Sequence, residues 1–368
     1  MCQSERCFAS KQNKRDGPEE ISERRRRNYP WAYRSRSERF LPNTRDQSPH
    51  LRYNVIPMFE TNDINLHETP AEKRARLRNN IGVVLCTVQK NGTYSSPESQ
   101  IELAGEINAP AIQFDFRDRT LEEIKGFASL LLDYRNLNPY SSISIHGDTP
   151  DFSDTDLTVL NYERIREELR FLQDIVGDSY TVHPPLISSL VFKHLPEDVQ
   201  NGLIENYAHV FVEAIKEAVE HNNKFCISIE NMPHGSSDDL FGQSIEELLL
   251  LIKKIREDLP RHGISEEIAK NYIGITLDIN NALNDVEIVD YRLILRRWFR
   301  GLGENIKVVY VNVPSNLTAI FVDKYNLAIE FTARYSPHAH IMLKSKHNSE
   351  TTIRIYKASK EFTEEDVY

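Results

Sequence analysis

Five short apolar segments between residues 142 and 312 end in polar side chains that could carry out chemistry. Successive segment ends are separated by roughly 34 to 48 residues. A strand, its crossover helix and the return to the same parallel sheet need about 30 residues or more. In a closed barrel of such units the strand ends meet at one mouth, where catalytic sites form. The segments are Ser142–His146, Tyr180–His183, Cys226–Glu230, Gly274–Asp278 and Val308–Asn312.

The alternation within these segments predicts which side chains face the barrel interior. Successive side chains of a strand point to opposite faces. In the segment ending at Glu230, Ile227 and Ile229 would therefore face the helices, and Glu230 the interior. The same parity turns the other end residues inward. Imidazole and carboxylate ligands suit Zn²⁺ or Mn²⁺, so the pattern predicts a divalent-metal site. The predicted ligands are His146, His183, Glu230 and Asp278.

Apolar strands and amphipathic helices alternate strictly from Ile81 onward. Alternating units imply a parallel sheet, and eight strands favour a closed barrel. We therefore predict a single (β/α)8 TIM barrel over residues 81–346. The predicted strands are 81–88, 111–116, 142–146, 180–183, 226–230, 274–278, 307–313 and 340–343. The predicted helices are 96–106, 120–135, 162–176, 199–220, 245–258, 287–299 and 318–335.

Residues 1–80 are predicted to form a flexible basic N-terminal extension. They contain 17 Lys and Arg against 11 Asp and Glu, whereas the remainder contains 28 against 44. The run Arg24–Arg27 would bind nucleic acid or another anionic partner, or would be a solvated part of a disordered tail. A short helix is predicted over 70–78. Residues 347–368 are predicted to be an acidic C-terminal tail.

The bulk composition argues against a membrane protein. Mean hydropathy is −0.50, and no apolar run approaches the length of a membrane span. The first residues lack the apolar core of a signal peptide. The four cysteines show no metal-knuckle spacing, so a reduced, cytoplasmic setting is expected.

The strand-end motifs resemble the xylose isomerase-like TIM barrels, a superfamily of sugar isomerases and epimerases together with endonuclease IV-type AP endonucleases. The resemblance implies that His146 and His183 hold zinc as in the endonuclease branch. It also implies that Glu230 and Asp278 are metal ligands. The motifs that carry it are Ile145-His146, Val182-His183-Pro184, Ile229-Glu230-Asn231-Met232 and Leu277-Asp278.

The later strands depart from the pattern of that superfamily. Asn281 stands where a histidine is usual, and Tyr310-Val311-Asn312 replaces a histidine-containing stretch. Lys344 stands where a glutamate ligand is usual. If Lys344 points inward, its ammonium could replace a lost second metal, or a lowered pKa could make it a base. Alternatively, Lys344 is solvated at the rim.

Further candidates lie on the loops of the same mouth. Asp115 could bind a substrate hydroxyl or form a salt bridge to Arg117 or Arg119. Asn231, His234 and Asn281 are candidate substrate-binding residues. Asn231 could instead orient Glu230. His234 could be an exposed loop residue, and Asp278 could cap the following loop.

Three functions remain open at this point. In the first, a metal-dependent isomerase or epimerase acts on a small sugar or polyol, with Glu230, Asp278 and Lys344 as catalytic residues. In the second, an endonuclease IV-like zinc phosphodiesterase acts on DNA, to which the basic arm could bind. In the third, a degenerate barrel binds a ligand or partner without catalysis.

Overall fold

Eight parallel strands form a closed barrel in which the first strand also pairs with the last. The computed structural model describes residues 68–85, 96–117, 119–152, 157–221, 223–233, 240–283, 291–314, 318–345 and 349–360. The predicted (β/α)8 fold is confirmed. The strands are β1 Gly82–Leu85, β2 Ala111–Asp115, β3 Ser142–His146, β4 Ser179–Val182, β5 Cys226–Glu230, β6 Ile273–Asp278, β7 Ile306–Asn312 and β8 His340–Ser345.

Helices surround the barrel and bury their apolar faces against the outer side of the strands. The first is α1 Pro70–Asn79, and α2 Pro97–Ile107, α3 Leu121–Leu137, α4 Tyr162–Asp174, α5 Ser189–His194 and α6 Glu197–Glu220 follow. The remaining described helices are α7 Ile245–Asp258, α8 Glu266–Tyr272, α9 Ile279–Leu283, α10 Tyr291–Leu302, α11 Ala319–Tyr335 and α12 Ser349–Ser359. In the described residues no helix is long and apolar enough to cross a membrane.

Local signals explain why most predicted helix starts agree with the structure. Thr120 precedes α3 and accepts a hydrogen bond from the Glu123 backbone, while the Glu123 carboxylate accepts one from the Thr120 backbone. This reciprocal capping box satisfies two donors that a helix start would leave unpaired. Pro97 opens α2, where its missing N–H costs nothing.

Helices lie on both sides of the predicted barrel boundaries. Helix α1 lies inside the predicted extension, and its Leu77 is buried in the core. Helix α12 lies inside the predicted tail, and its Ile355 and Tyr356 are buried. The Tyr325 hydroxyl of α11 donates to the Ser359 carbonyl at 2.9 Å and ties down the end of α12. The predictions for residues 1–67 and for residues 361–368 lie outside the described residues.

Several boundaries differ from prediction for local reasons. Strand β4 ends at Val182, because the His183 carbonyl accepts from the Tyr207 hydroxyl at 3.0 Å and Pro184 has no N–H to donate. Helix α10 begins at Tyr291 rather than at residue 287, and residues 284–290 lie outside the described residues. Helices α5, α8 and α9 were missed because each is at most seven residues long and shows too few turns for a periodic pattern.

A layer of hydroxyl and amide groups crosses the barrel interior beneath the mouth. The Thr276 hydroxyl donates to Ser228 at 2.6 Å, and Gln113 donates to Thr181 at 3.1 Å. The Tyr310 hydroxyl donates to Gln113 and lies 3.2 Å from the Thr181 hydroxyl. Thr181, Ser228 and Thr276 therefore point into the barrel, as the alternation of side chains along β4, β5 and β6 requires. These groups are buried and satisfy one another, which removes the cost of placing polar atoms in the core.

Candidate metal centre

His146, His183 and Glu230 converge at the mouth of the barrel. One nitrogen of each imidazole and one carboxylate oxygen lie within 4.8 Å of one another. His146 Nε2 lies 3.4 Å from Glu230 Oε2, and His183 Nε2 lies 3.5 Å from the same oxygen. The structure thus brings together three of the four predicted ligands, at the ends of β3 and β5 and immediately after β4.

The spacing of these atoms fits a small divalent ion. Zinc bonds of about 2.0–2.2 Å in tetrahedral geometry place neighbouring ligand atoms roughly 3.4 Å apart. Both ring nitrogens of His146 and Glu230 Oε2 are buried without a hydrogen-bond partner in the described residues. Buried polar atoms without partners are costly, and a metal bound between them would satisfy His146 Nε2 and Glu230 Oε2. Two imidazoles and one carboxylate also form an open zinc set that leaves a position for water or substrate.

Burial keeps His146 in the form that can bind a metal. Desolvation in the core and the nearby Arg117 guanidinium lower the pKa of His146 well below its usual value. The ring is therefore neutral at physiological pH. Neutral imidazole is the ligand form, so this histidine needs no deprotonation before it binds an ion.

Thr149 orients the second histidine. Its hydroxyl lies 3.1 Å from His183 Nδ1, which leaves His183 Nε2 directed at Glu230. Asn161 holds Thr149 in place, because its amide donates to the Thr149 carbonyl at 2.7 Å. A hydrogen bond at one ring nitrogen selects the tautomer whose other nitrogen can bind metal. Sequence analysis missed Thr149, although it lies in the loop three residues after His146.

Lys344 occupies the side of Glu230 that faces away from the histidines. Its ammonium donates to Glu230 Oε1 at 2.9 Å and lies 3.5 Å from Asp278 Oδ2. Desolvation lowers the pKa of Lys344, but the two carboxylates outweigh it and raise the pKa above its ordinary value. The surrounding carboxylates therefore give no support to a lowered pKa of Lys344, and its buried position argues against a solvated place at the rim. Lys344 is buried, charged and directed inward, so its ammonium can take the place of a second metal cation.

The same ammonium determines the charge state of Glu230. Burial alone would raise the pKa of this carboxyl, but Lys344 and the adjacent histidines hold it well below its usual value. Glu230 is thus an anion at any physiological pH. Its Oε1 atom is occupied by Lys344, whereas Oε2 remains for an ion.

Asp278 lies beside the cluster but is not part of it. Its Oδ1 accepts hydrogen bonds from the backbone of Asn280 at 2.9 Å and of Asn281 at 3.2 Å, so it caps the short helix α9. Asn312 donates to both oxygens at 2.9 Å. Asp278 therefore lies outside the clustered ligand atoms: its Oδ1 caps α9, and its Oδ2 faces Asn312 and Lys344. The alternative role as a cap is the one observed.

Tyr310 forms the floor beneath these groups. Lys344 Nζ lies 4.6 Å from the centre of the Tyr310 ring, a cation–π contact, and the His146 ring stacks at 6.3 Å. Its hydroxyl donates to Gln113 and contacts the Thr181 hydroxyl in the interior layer. Tyr310 was noticed only as a departure from the family pattern. Its inward parity, two residues before Asn312, was the signal that could have placed it here.

Asp115 forms the salt bridge that was one of its two predicted roles. Arg117 Nε donates to Asp115 Oδ1 at 2.9 Å, and Arg117 Nη2 to Oδ2 at 2.5 Å. The carboxylate is buried and lies opposite His146 in the β2–β3 pairing. Burial opposes ionisation, but the Arg117 guanidinium still lowers the pKa of Asp115 below its usual value. Both oxygens are occupied, so Asp115 has little capacity left for a substrate hydroxyl.

The predicted substrate-binding asparagines use their amides on the backbone. Asn231 accepts from the Asp278 N–H at 2.6 Å and donates to the Asp278 carbonyl at 3.1 Å. Asn281 donates to the Asn231 carbonyl at 2.8 Å. These bonds join the ends of β5 and β6, and therefore fix where Glu230 and Asp278 stand relative to each other. His234 lies outside the described residues.

A second buried ionic cluster supports the loop that carries Thr149. Glu168 accepts from the Asp148 backbone at 2.9 Å and from the Tyr180 hydroxyl at 2.7 Å, and Arg164 donates to its other oxygen at 3.1 Å. Gly147 permits this arrangement, because a Cβ there would lie 2.0 Å from the Tyr180 ring. Burial raises the pKa of Glu168 to about 7. Sequence analysis did not single out this cluster.

Solved structures of low sequence identity share this fold. A candidate xylose isomerase from Rhodospirillum rubrum aligns with a TM-score of 0.53 at 12% identity, over 77% of this chain and 97% of that one. A protein of Sinorhizobium meliloti aligns with a TM-score of 0.51 at 11% identity, over 78% and 99%. Endonuclease IV from Thermus thermophilus aligns less well, with a TM-score of 0.48 at 16% identity over 77% and 100%. The chain thus has the fold of the xylose isomerase-like TIM barrels.

No protein-family model and no curated protein matches the sequence. The comparisons therefore bear on the fold, and a function must be argued from the side chains at the mouth.

Proposed function

We propose that this protein is a mononuclear divalent-metal enzyme that isomerises or epimerises a small sugar- or polyol-type substrate. The observation that supports it best is the group of His146, His183 and Glu230, with unpartnered buried ligand atoms at the catalytic end of the barrel. A buried polar atom without a partner needs an explanation, and a bound metal ion is one that suits this set of donors. The resemblance of the strand-end motifs to the xylose isomerase-like group suggests the substrate class.

Each side chain has a distinct role in this proposal. His146 Nε2, His183 Nε2 and Glu230 Oε2 would hold the metal, with Zn²⁺ or Mn²⁺ as the candidates for this donor set. When bound, the metal would polarise a substrate carbonyl or hydroxyl. Lys344 keeps Glu230 anionic from the opposite side and supplies positive charge where a second metal ion would otherwise be needed.

Asp278 is the candidate for moving a proton. It lies beyond Lys344, and burial raises its pKa despite that ammonium. A carboxylate whose pKa is raised is a better base near neutral pH. Its bonds to Asn312 and to the start of α9 hold it in one orientation, as a general base requires.

Two measurements test the proposal. Elemental analysis of the purified protein should find about one Zn²⁺ or Mn²⁺ per chain in the wild type and far less in Glu230→Gln. A panel of ketoses incubated in D₂O with the metal-loaded protein should incorporate deuterium next to the carbonyl. This readout detects proton abstraction before the product is known. A protein that binds no divalent metal would refute the proposal.

An endonuclease-like phosphodiesterase is the second candidate. Two imidazoles and one carboxylate would also suit a zinc that activates water at a phosphate. The excess of acidic residues after residue 80 opposes DNA binding, and residues 1–67 of the basic arm lie outside the described residues. Cleavage of an abasic-site duplex by the zinc-loaded protein, without deuterium exchange into ketoses, would favour this function.

A binding protein without catalysis is the third candidate. The observation that favours it is the saturation of Asp278 by Asn312 and two backbone donors. Metal binding without deuterium exchange or DNA cleavage would support it.

A further inference from the structure

Arg117 is bonded to Asp115 in a way that leaves part of its guanidinium available. The pair is side-on, with Nε and Nη2 each donating to one carboxylate oxygen. An arginine presents five N–H donors, and a side-on pair uses two of them. Nη1 has no partner in the part of the chain that the structure describes. The end of the fork formed by Nη1 and Nη2 can therefore receive a second anion.

The guanidinium is the accessible half of this pair, and it lies next to the metal centre. The side chain of Arg117 is 27% exposed, whereas that of Asp115 is 2% exposed. Asp115 lies opposite His146 in the β2–β3 register, so the pair stands at the mouth. Burial lowers the pKa of Arg117, but the bonds to Asp115 and, to a smaller extent, Glu230 and Tyr310 raise it above its ordinary value.

Two other cations at the mouth are already occupied. Lys344 is held by Glu230, Asp278 and the Tyr310 ring. Arg164 donates to Glu168 and to the Phe116 carbonyl, and its Nε lies 2.9 Å from Asp148. These partners face the interior and the loop after β3. Arg117 is different, because its side chain is partly exposed and the bonds to Asp115 use only Nε and Nη2.

The charge balance of the mouth also favours a negatively charged ligand. Asp115, Glu230 and Asp278 carry three negative charges against the two positive charges of Arg117 and Lys344. A divalent ion bound by the two histidines adds two positive charges and turns this excess of one negative charge into one positive charge. An anionic group on the substrate would neutralise this excess within a low-dielectric site.

We propose that the end of the Arg117 guanidinium is an anion subsite beside the metal centre, and that the substrate carries a carboxylate or phosphate group which it binds. A planar fork of N–H donors matches the oxygens of both groups. Asp115 binds the Nε–Nη2 side of the guanidinium and takes no part in binding the anion. This inference rests on the proposed function, because it extends the substrate class for the same mouth.

Calorimetric titration of the full-length, zinc-loaded protein with inorganic phosphate and with acetate tests the subsite. Wild type, Arg117→Gln and Asp115→Asn are compared at one ionic strength, with zinc content measured in each sample. A charge-assisted hydrogen bond contributes enough that Arg117→Gln should weaken binding of at least one probe about tenfold or more. Asp115→Asn should bind as tightly as wild type or more tightly, because it retains the guanidinium and loses the competing carboxylate.

The opposite responses of the two variants separate a binding role from a purely structural one. Equal loss in both variants, or unchanged affinity in Arg117→Gln, would overturn the subsite. Arg117→Lys provides a second test should Arg117→Gln not fold, since it keeps the charge but loses the fork and should show a partial loss. If Arg117→Gln retains zinc and binds the anions as tightly as wild type does, only the subsite is refuted. Zinc absent from the wild type refutes the proposed function, and the phosphate titration of that metal-free protein still tests Arg117.

Discussion

Lys344 Nζ donates to Glu230 Oε1 at 2.9 Å, while the two histidines face the other oxygen of the same carboxylate. Glu230 is therefore shared between a fixed ammonium on one side and a candidate metal position on the other. The arrangement keeps the carboxylate charged in a fully buried place. It also makes the stability of the apoprotein depend on a single lysine.

Replacing Lys344 by Met should destabilise the metal-free protein by about 3 kcal/mol or more, since it leaves Glu230 and Asp278 buried without their cation. Urea unfolding followed by circular dichroism measures this loss. Lys254→Met is the control, because Lys254 pairs with the exposed Glu205 and should cost about 0–1 kcal/mol. Equal costs for the two variants would show that the buried pair contributes nothing special. Saturating zinc should restore part of the lost stability in Lys344→Met.

Replacing His146 by Ala should abolish stoichiometric metal binding, because it removes a ligand whose two nitrogens are otherwise unpartnered. Metal content after dialysis against a weak chelator is the measurement. His338→Ala is the matched control, since His338 lies at the opposite end of the barrel, before β8. Retention of one metal per chain in His146→Ala would remove this residue from the ligand set.

Thr149→Ala should weaken zinc binding about 10- to 100-fold, because loss of the hydroxyl frees the His183 ring to adopt the other tautomer. Thr149→Ser keeps the hydroxyl and should retain most of the affinity. Competition with a chromophoric chelator gives both dissociation constants. The same loss in Ser and Ala variants would mean that packing of the Thr149 methyl group, rather than its hydrogen bond, matters.

Asp278→Asn should leave metal content unchanged and reduce deuterium exchange into the substrate by about 100-fold or more, the usual contribution of a general base. The Asn side chain can still accept the two backbone bonds at the start of α9 through its carbonyl oxygen. Loss of metal together with loss of exchange would instead identify Asp278 as a ligand.

Glu168 should make the folded state less stable as pH rises from about 4.5 to 7. Burial raises the pKa of this carboxyl from 4.5 to about 7, so the folded state holds the proton more tightly than the unfolded chain does. The stability that Glu168 contributes is fully present below its pKa in the unfolded chain. It is lost as pH rises toward its pKa in the folded state. The loss is on the order of 3 kcal/mol. Relative to wild type, Glu168→Gln should therefore gain stability between pH 5 and 7. Parallel pH profiles for the two proteins would contradict this.

The sequence alone determined the barrel and the end of it that carries the chemistry. The spacing of the apolar segments predicted eight parallel strands, and their alternation predicted the inward direction of His146, His183 and Glu230. These features are visible because strand parity and βα repeat length are properties of the local chain. Helix starts such as Thr120 were equally local.

Tertiary structure alone decided which inward residues touch. Asp278 has the same parity and strand-end position as Glu230, yet its oxygens are occupied by Asn312 and by the start of α9. Lys344 could have been a neutral base or a rim residue, and the two carboxylates that surround it hold it charged. The pairing of Thr149 with His183 and of Arg117 with Asp115 was likewise unreadable from spacing. Hydrogen bonds and ion pairs form where atoms of different strands and loops lie 2.5–3.5 Å apart. The periodicity of the sequence does not encode such distances.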